Sequence, residues 1–108
     1  MSGGSGSERQ LVFKIMPRAQ WEAAEREGVY HGSKDDQRDG FIHFSLKSQV
    51  GKTLLRHFSG QHDLLLISFD PAALGEALRY ESSRDGQLFP HLYGPLATSL
   101  ALEIVELA

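Results

Sequence analysis

The chain has 108 residues with a formal net charge of −3, and it contains no cysteine. A chain of this length holds one small domain. The absence of cysteine excludes disulfides, thiolate zinc sites and cysteine nucleophiles. The 11 Lys and Arg residues are spread along the chain without a run. General nucleic-acid binding needs clustered basic residues, so we do not expect it here.

The longest apolar runs are far shorter than the roughly 20 residues that span a bilayer. The N-terminal residues show no basic region followed by an apolar stretch, so they carry no visible secretory signal. We therefore expect a cytoplasmic protein without membrane contact.

Residues 1–10 contain three Gly and three Ser and have no aliphatic residue after the initiator Met. Such a segment buries too little surface to offset the entropy lost on ordering, so it is predicted to be a flexible tail. Residues 11–108 are then predicted to form a single domain. Its composition, 41% hydrophobic and 23% charged, is typical of a globular protein.

The first half of this domain shows clear helix and strand patterns. Pro17 and Gly28 are typical of a helix start and a helix end, and Trp21 and Ala24 share one face of the helix between them. The polar, turn-rich residues after Gly28 predict a loop, and Ser45 is a candidate N-cap for a second helix. The predicted elements are a strand at 11–15, a helix at 18–27, a loop at 29–40, a strand at 41–44 and a helix at 45–58.

The second half is dominated by extended segments. The apolar run at 64–69 predicts a buried strand, and Asp70-Pro71 ends it. The remaining predictions are one or two helical turns at 72–78, a strand at 78–81, a turn at 84–86, a stretch with two prolines at 88–96 and a strand at 99–107. About five strands and two or three helices that do not alternate regularly indicate an α+β domain.

Three segments contain polar residues that an apolar core does not explain. His43 lies on a predicted strand between large apolar residues, with Ser45 two positions later on the same face. Glu81 is the last residue of a short predicted strand, and two prolines restrict the backbone around His91 and Tyr93. Each segment also has a purely structural interpretation, such as a histidine bonded to a backbone carbonyl or a surface ion pair.

The sequence pattern gives little support to two other chemistries, a metal site and a serine hydrolase. His43, His91 and Glu81 have the composition of a two-histidine, one-carboxylate metal site, but no short His-x-His or His-x-x-x-His pair seeds it. We therefore predict no metal site. Ser45 lacks the glycine-flanked elbow that exposes a serine nucleophile, which argues against a Ser-His-Asp hydrolase.

At these residues the chain resembles a known family. The segments that carry the resemblance are Trp21 with Gly28, Tyr30-x-Gly32-Ser33, Asp36, Asp39-Gly40-Phe41-Ile42-His43-Phe44-Ser45, Gln49-Val50, Leu78-Arg79-Tyr80-Glu81 and Phe89-Pro90-His91-Leu92-Tyr93-Gly94-Pro95-Leu96. They occur in the order typical of the domain of unknown function 952 family of small, mainly bacterial proteins. The resemblance extends from about Leu11 to the C-terminus.

The resemblance implies a fold, because this family is grouped with the ADP-ribosyltransferase superfamily. It implies a small, mixed, two-sheet ADP-ribosyltransferase-like domain with two or three short helices and a cleft between the sheets. Lys14 takes the place of the basic or histidine residue of the first strand, and His43 and Ser45 take the second-strand positions. The His-x-Ser pattern is also similar to that of RNA 2′-phosphotransferases. The late position falls on either Glu81 or His91.

The resemblance also implies a ligand class: NAD, ADP-ribose or a related phosphorylated nucleotide, bound as substrate and not as a resident cofactor. A glycosyl, ADP-ribosyl or 2′-phosphate transferase is the implied activity. The alternatives are a non-catalytic module that binds a metabolite or a protein, and an interaction protein whose motifs are architectural. The implied catalytic residues are Glu81, His91 and His43, and the implied ligand-binding residues are Lys14, His43, Ser45 and Tyr93. Lys14 departs from the usual His or Arg, and no phosphate-binding arginines are assigned.

Overall fold

The structure is a computed structural model that describes residues 10–83 and 86–107. Apart from Gln10, the predicted tail lies outside the described residues, as do two of the three residues of the turn predicted at 84–86. None of the described helices is long and apolar enough to cross a membrane.

Nine short strands run through the described residues. They are β1 Val12–Pro17, β2 Val29–Tyr30, β3 Ile42–His43, β4 Ser45–Leu46, β5 Leu64–Phe69, β6 Leu78–Ser82, β7 Leu88–Leu92, β8 Leu96–Ala97 and β9 Glu103–Leu107. The α-helices of the same residues are α1 Arg18–Glu27, α2 Lys34–Asp39, α3 Val50–His57 and α4 Pro71–Leu74. Single 3-10 turns lie at Lys47–Gln49, Gly75–Ala77 and Thr98–Leu100.

The strands form three antiparallel sheets in the described part of the chain. The largest has the order β4-β1-β5-β9, a second has β3-β7-β6, and the smallest pairs β2 with β8. The α+β class is therefore confirmed. The expected two sheets become three, because β2 and β8 pair over only two residues each and form a separate ribbon.

The strongest local signals produced the predicted elements. α1 follows Pro17 and ends at Gly28, whose φ of 84° lets its N–H bond the carbonyl of Ala24. Its buried Trp21 packs edge-on against Phe69 of β5, with the ring centroids 6.4 Å apart. β5 lies between β1 and β9, and this central position explains its nearly continuous apolar run.

The loop predicted at 29–40 is wrong in detail. Residues 29 and 30 form β2, and α2 occupies Lys34–Asp39. α2 begins with a capping box: the Ser33 hydroxyl accepts from the N–H of Asp36, and the Asp36 carboxylate accepts from the N–H of Ser33. The many short polar residues here start and end a helix of six residues, although their composition is typical of turns.

The helix predicted to begin at Ser45 begins later. Ser45 lies in β4, where it pairs with Phe13 of β1, so it is not a helix N-cap. A 3-10 turn follows, and α3 starts at Val50. Gln49 makes this delayed start possible, because its side-chain oxygen accepts from the N–H of Leu46 and its amide donates to the carbonyl of Leu88 on β7.

Candidate functional site

Asp36 is the centre of a buried polar cluster. Its residue is only 3% exposed, and it lies on α2 facing β1 and β3. The carboxylate accepts from Lys14 Nζ at 2.9 Å, from the N–H of Ser33 at 2.9 Å and from the N–H of His43 at 3.2 Å. His43 Nδ1 lies 2.6 Å from Asp36 Oδ1. This dense hydrogen bonding compensates a charge that burial alone would disfavour.

The electrostatics of Asp36 are set by opposing effects. Burial alone would raise the pKa of Asp36, but the hydrogen bond from His43 and the charge of Lys14 together hold its pKa well below the ordinary value. Asp36 is therefore ionised, and His43 Nδ1 donates to it. Burial lowers the pKa of Lys14, and Asp36 opposes that shift. Lys14 Nζ also donates to the carbonyl of His43 at 2.8 Å, so this cation ties β1 to α2 and β3.

The backbone of Gly32 closely approaches the Asp36 side chain. Its φ is 104°, and a Cβ built there would stand 2.8 Å from Asp36 Cβ. We expect Gly32→Ala to lower the free energy of unfolding by roughly 2–4 kcal/mol, because the new Cβ overpacks the site and also strains the left-handed backbone. Urea unfolding measures this difference.

Gly40→Ala is the matched control for that substitution. Gly40 has a φ of 90°, yet a Cβ there would meet no atom of the described residues within 4 Å. Gly40→Ala should therefore lower the free energy of unfolding by only about 1–2 kcal/mol, which is the cost of the left-handed backbone alone. Equal losses for the two variants would show that Gly32 is needed for its φ and not for its approach to Asp36.

His43 has carboxylates on both sides of its ring. Nδ1 faces Asp36, and Nε2 lies 3.0 Å from Asp39 Oδ2. Arg38 and His43 both lower the pKa of Asp39, with the hydrogen bond from Arg38 as the largest cause. The imidazole of His43 is therefore held in place by two acidic groups, and neither ring nitrogen is free.

His91 lies opposite His43 in the register of β3 and β7. Its residue is 8% exposed, and its Nδ1 lies 2.8 Å from Glu81 Oε1. The Tyr93 hydroxyl donates to the same oxygen at 2.7 Å. Among the described residues, no partner holds His91 Nε2. Glu81 thus orients a buried histidine whose second nitrogen is available.

Hydrogen bonds from Tyr93 and then His91 lower the pKa of Glu81, and the hydrogen bond to Glu81 raises the pKa of Tyr93. Phe41 stacks on the His91 ring, with centroids 4.0 Å apart and planes inclined by 23°. The same Phe41 ring leans against His43 at 4.6 Å and Tyr93 at 5.3 Å. Phe41 therefore fixes the plane of the imidazole that Glu81 orients.

Ser45 is buried next to α3. Its Oγ lies 2.9 Å from Thr53 Oγ1, and Thr53 Oγ1 donates to the carbonyl of Gln49 at 3.1 Å. Because the Thr53 proton is used on Gln49, the Ser45 hydroxyl donates to Thr53. Ser45 then keeps acceptor capacity towards its surroundings.

A cavity of about 380 Å³ opens among β1, α2, β3, α3 and β7. Four of the predicted site residues line it: Lys14, His43, Ser45 and His91. Glu81 and Tyr93 are not among its lining residues, so they reach it only through His91. Its apolar wall consists of Phe13, Ile15, Phe44, Phe58 and Phe89. An apolar wall with a few convergent polar groups is typical of a small-molecule site.

Several residues of this cavity were not assigned as site residues from the sequence. They are Asp36, Asp39, Thr53, Lys52 and Arg56. The Ser33-x-x-Asp36 spacing was a usable signal for Asp36, since it is the pattern of a capping box. Lys52 and Arg56 are four residues apart within a predicted helix, and this spacing places them on one face.

In the described part of the chain, no three His, Asp or Glu side chains are grouped so that they could hold a metal ion. His43 faces Asp36 and Asp39, whereas His91 and Glu81 bond each other, so the two histidines bind different carboxylates.

These observations define the class of protein: a small α+β protein whose antiparallel sheets and α3 surround a cavity with a carboxylate-oriented histidine. The chain belongs to the DUF952 family, described as proteins of unknown function, whose sequence profile matches residues 15–104. No curated protein matches it.

Solved structures of protein CC0527 from Caulobacter crescentus are similar to this chain. The crystal structure is 43% identical in sequence, with a TM-score of 0.88 over 91% of this chain and 86% of the other. The solution NMR structure is also 43% identical, with a TM-score of 0.81 over 90% of this chain and 84% of the other.

Proposed function

We propose that this protein is an ADP-ribosyltransferase-like domain that binds NAD, ADP-ribose or a related phosphorylated nucleotide in the cavity. The observation that carries the proposal is the buried His91 in the cavity wall, whose Nδ1 is held by Glu81. A histidine with one nitrogen fixed by a carboxylate and the other unpartnered among the described residues is suited to proton transfer. A cytoplasmic location and a bacterial origin remain our expectations.

The size of the cavity limits how much of the ligand is enclosed. Its volume of about 380 Å³ is near the lower end of the roughly 300–1,000 Å³ typical of ligand pockets. We propose that one nucleoside half is enclosed, with its base or nicotinamide against the wall that includes Phe58 and Phe89. The remainder of a dinucleotide would then lie at the mouth.

We assign the late position of the resemblance to His91 and a positioning role to Glu81. If the domain transfers ADP-ribose, the bond between ribose C1 and the nicotinamide nitrogen breaks, and nicotinamide leaves with the electron pair. The acceptor oxygen forms the new bond to C1 and gives its proton to His91 Nε2. The Glu81 carboxylate stabilises the resulting imidazolium through Nδ1. Tyr93 supports Glu81 through their shared hydrogen bond.

The other predicted site residues are assigned to binding and support. Ser45 is proposed to accept a hydrogen bond from a ribose hydroxyl. His43 and Lys14 already use their polar atoms within the Asp36 cluster, so we assign them to the support of the cavity wall. In this assignment they shape the site but do not carry the reaction.

The second candidate function is a binding module without turnover on the same cavity. It is favoured by the number of polar groups already bonded within the protein: Lys14 and His43 to Asp36, and Ser45 to Thr53. A cavity wall of satisfied polar groups recognises shape and needs no reactive group. The two functions differ in one measurable property, the consumption of the bound nucleotide.

Calorimetry and ligand-observed NMR with NAD, ADP-ribose and a 2′-phosphorylated RNA test the ligand class. We expect at least one of these ligands to bind to the wild-type chain with a Kd below the millimolar range. No binding at millimolar ligand would overturn the proposed function. Release of nicotinamide from bound NAD that His91→Ala abolishes would distinguish the transferase from the binding module.

The tautomer of His91 gives a test that needs no ligand. Because Glu81 accepts from Nδ1, we expect the neutral His91 ring to carry its proton on Nδ1 in the wild-type chain. Glu81→Ala should shift the proton to Nε2, whereas Glu81→Gln, which retains an acceptor oxygen, should keep it on Nδ1. Nitrogen–proton correlation NMR of the histidine rings reads this directly. The exposed His62 is the internal control, and its signals should be the same in all three chains.

A further inference from the structure

The charged residues that line the cavity fall into two groups. Most are paired within the protein: Lys14 with Asp36, and Arg38 with both Asp35 and Asp39. Lys52 and Arg56 also line the cavity, yet neither has an acidic partner among the residues that the structure describes. Lys52 and Arg56, both on α3, are therefore the cations of the cavity lining that lack an acidic partner among the described residues, and the Lys, Arg, Asp and Glu side chains of the lining sum to a formal charge of +1.

Lys52 and Arg56 lie four residues apart on α3, so they project from the same helix face. Like charges at this spacing destabilise a helix, because their repulsion is not offset by a partner. Thr53 and His57 of the same helix also line the cavity. This face of α3 is consequently a cationic wall next to the hydroxyls of the buried Ser45 and the half-buried Thr53.

We propose that Lys52 and Arg56 form an anion subsite that binds the phosphate or diphosphate group of a small-molecule ligand. A guanidinium donates to two phosphate oxygens at once, and an ammonium adds a point charge, so the pair suits a group with two negative charges. The inference rests on the proposed function, because it names the part of the cavity that recognises the phosphorylated portion of the nucleotide.

The test uses inorganic pyrophosphate, ADP-ribose and unphosphorylated adenosine with the full chain, followed by NMR titration of backbone amides and by calorimetry. Lys52→Gln and Arg56→Gln are the test variants. Arg26→Gln on α1 is the matched control, because Arg26 is exposed and is not among the cavity-lining residues. Melting temperatures of all variants are measured in parallel.

We expect pyrophosphate and ADP-ribose to shift the amide signals of α3, and adenosine to leave those of Lys52 and Arg56 unchanged. Each test variant should weaken ADP-ribose binding on the order of tenfold and reduce its salt dependence. Arg26→Gln should change neither property. Melting temperatures of the test variants should be equal to or above that of the wild type, since repulsion within α3 is relieved.

Three other outcomes are informative. If ADP-ribose binds the wild type and the test variants equally, the subsite is overturned while the proposed function stands. If pyrophosphate binds at α3 but no nucleotide binds, the subsite is supported and the proposed function is overturned. If pyrophosphate at millimolar concentration shifts no α3 amide and no nucleotide binds, both are overturned.

Discussion

Asp36→Ala is expected to lower the free energy of unfolding by about 3–5 kcal/mol, the usual cost of breaking a buried ion pair. The substitution removes the acceptor for Lys14 Nζ, for the backbone N–H groups of Ser33 and His43, and for the His43 ring. It leaves the Lys14 ammonium buried without its anionic partner. Chemical denaturation monitored by the fluorescence of Trp21 measures the loss.

Two further variants separate the loss of the Lys14–Asp36 ion pair from the loss of the other bonds of Asp36 and from the general effect of removing an acidic residue from α2. Lys14→Met should destabilise less than Asp36→Ala, because Asp36 keeps its donors from Ser33 and His43. Asp35→Ala, next in sequence but exposed and, within the described chain, paired with Arg38 alone, should change the free energy of unfolding by no more than about 0.5 kcal/mol. A loss for Asp35→Ala equal to that for Asp36→Ala would contradict the assignment of Asp36 as the centre of the cluster.

The same carboxylate is expected to make stability fall in acid. The pKa of Asp36 in the folded chain lies well below its ordinary value of 3.8, so its stabilising contribution is complete above about pH 5. Below pH 3.8, Asp36 binds a proton in the unfolded chain but stays ionised in the folded chain. The free energy of unfolding should then fall by about 1.4 kcal/mol per pH unit from this group alone.

Asp36→Asn isolates that contribution, since it has no carboxylate to titrate. It should be less stable than the wild type at pH 7, because its amide cannot balance the charge of Lys14. The difference between the two chains should narrow steadily as the pH falls from 5 to 2. A difference that stays constant over that range would show that Asp36 has an ordinary pKa in the folded chain. Asp39 and Glu81 also have lowered pKa values, and both chains share their contributions.

The elements with strong local signals were predictable from sequence. α1 was confirmed with the predicted bounds of 18–27, because Pro17, the Trp21 and Ala24 face and Gly28 all indicate the same helix. β5 was confirmed because an apolar run of six residues has few other interpretations in a small domain. In both, the information lies within a few residues of the element.

Prediction failed where distant residues decide the local structure. Residues 29–40 are polar and turn-rich, yet part of them forms α2, which begins with the local capping box of Ser33 and Asp36 and is held to two strands by the bonds of Asp36 to Lys14 and His43. Ser45 carries an N-cap signal, yet pairing with Phe13 keeps it in β4. At Ser45 the tertiary contact therefore outweighed the local preference.

The candidate site was likewise predictable only in part from the sequence. The sequence alone singled out His43, Ser45, Glu81, His91 and Tyr93 as residues that a core does not explain. It did not choose between Glu81 and His91. In the antiparallel register Glu81 lies opposite Phe89, and its carboxylate reaches diagonally to His91 Nδ1. Of this bonded pair, the histidine lines the cavity and the carboxylate orients it from outside.

The sequence by itself determined the α+β class, the family resemblance and the segments that carry polar chemistry, because composition and short-range patterns encode these properties. Only the tertiary structure decided which charges pair and which stay unpaired among the described residues. That property depends on the distances between Lys14, Asp36 and His43, and on the lack of an ion pair to Lys52 or Arg56 within the described chain. Whether two charged groups pair depends on differences of a few ångströms in the distance between residues far apart in sequence, and no local pattern specifies that distance.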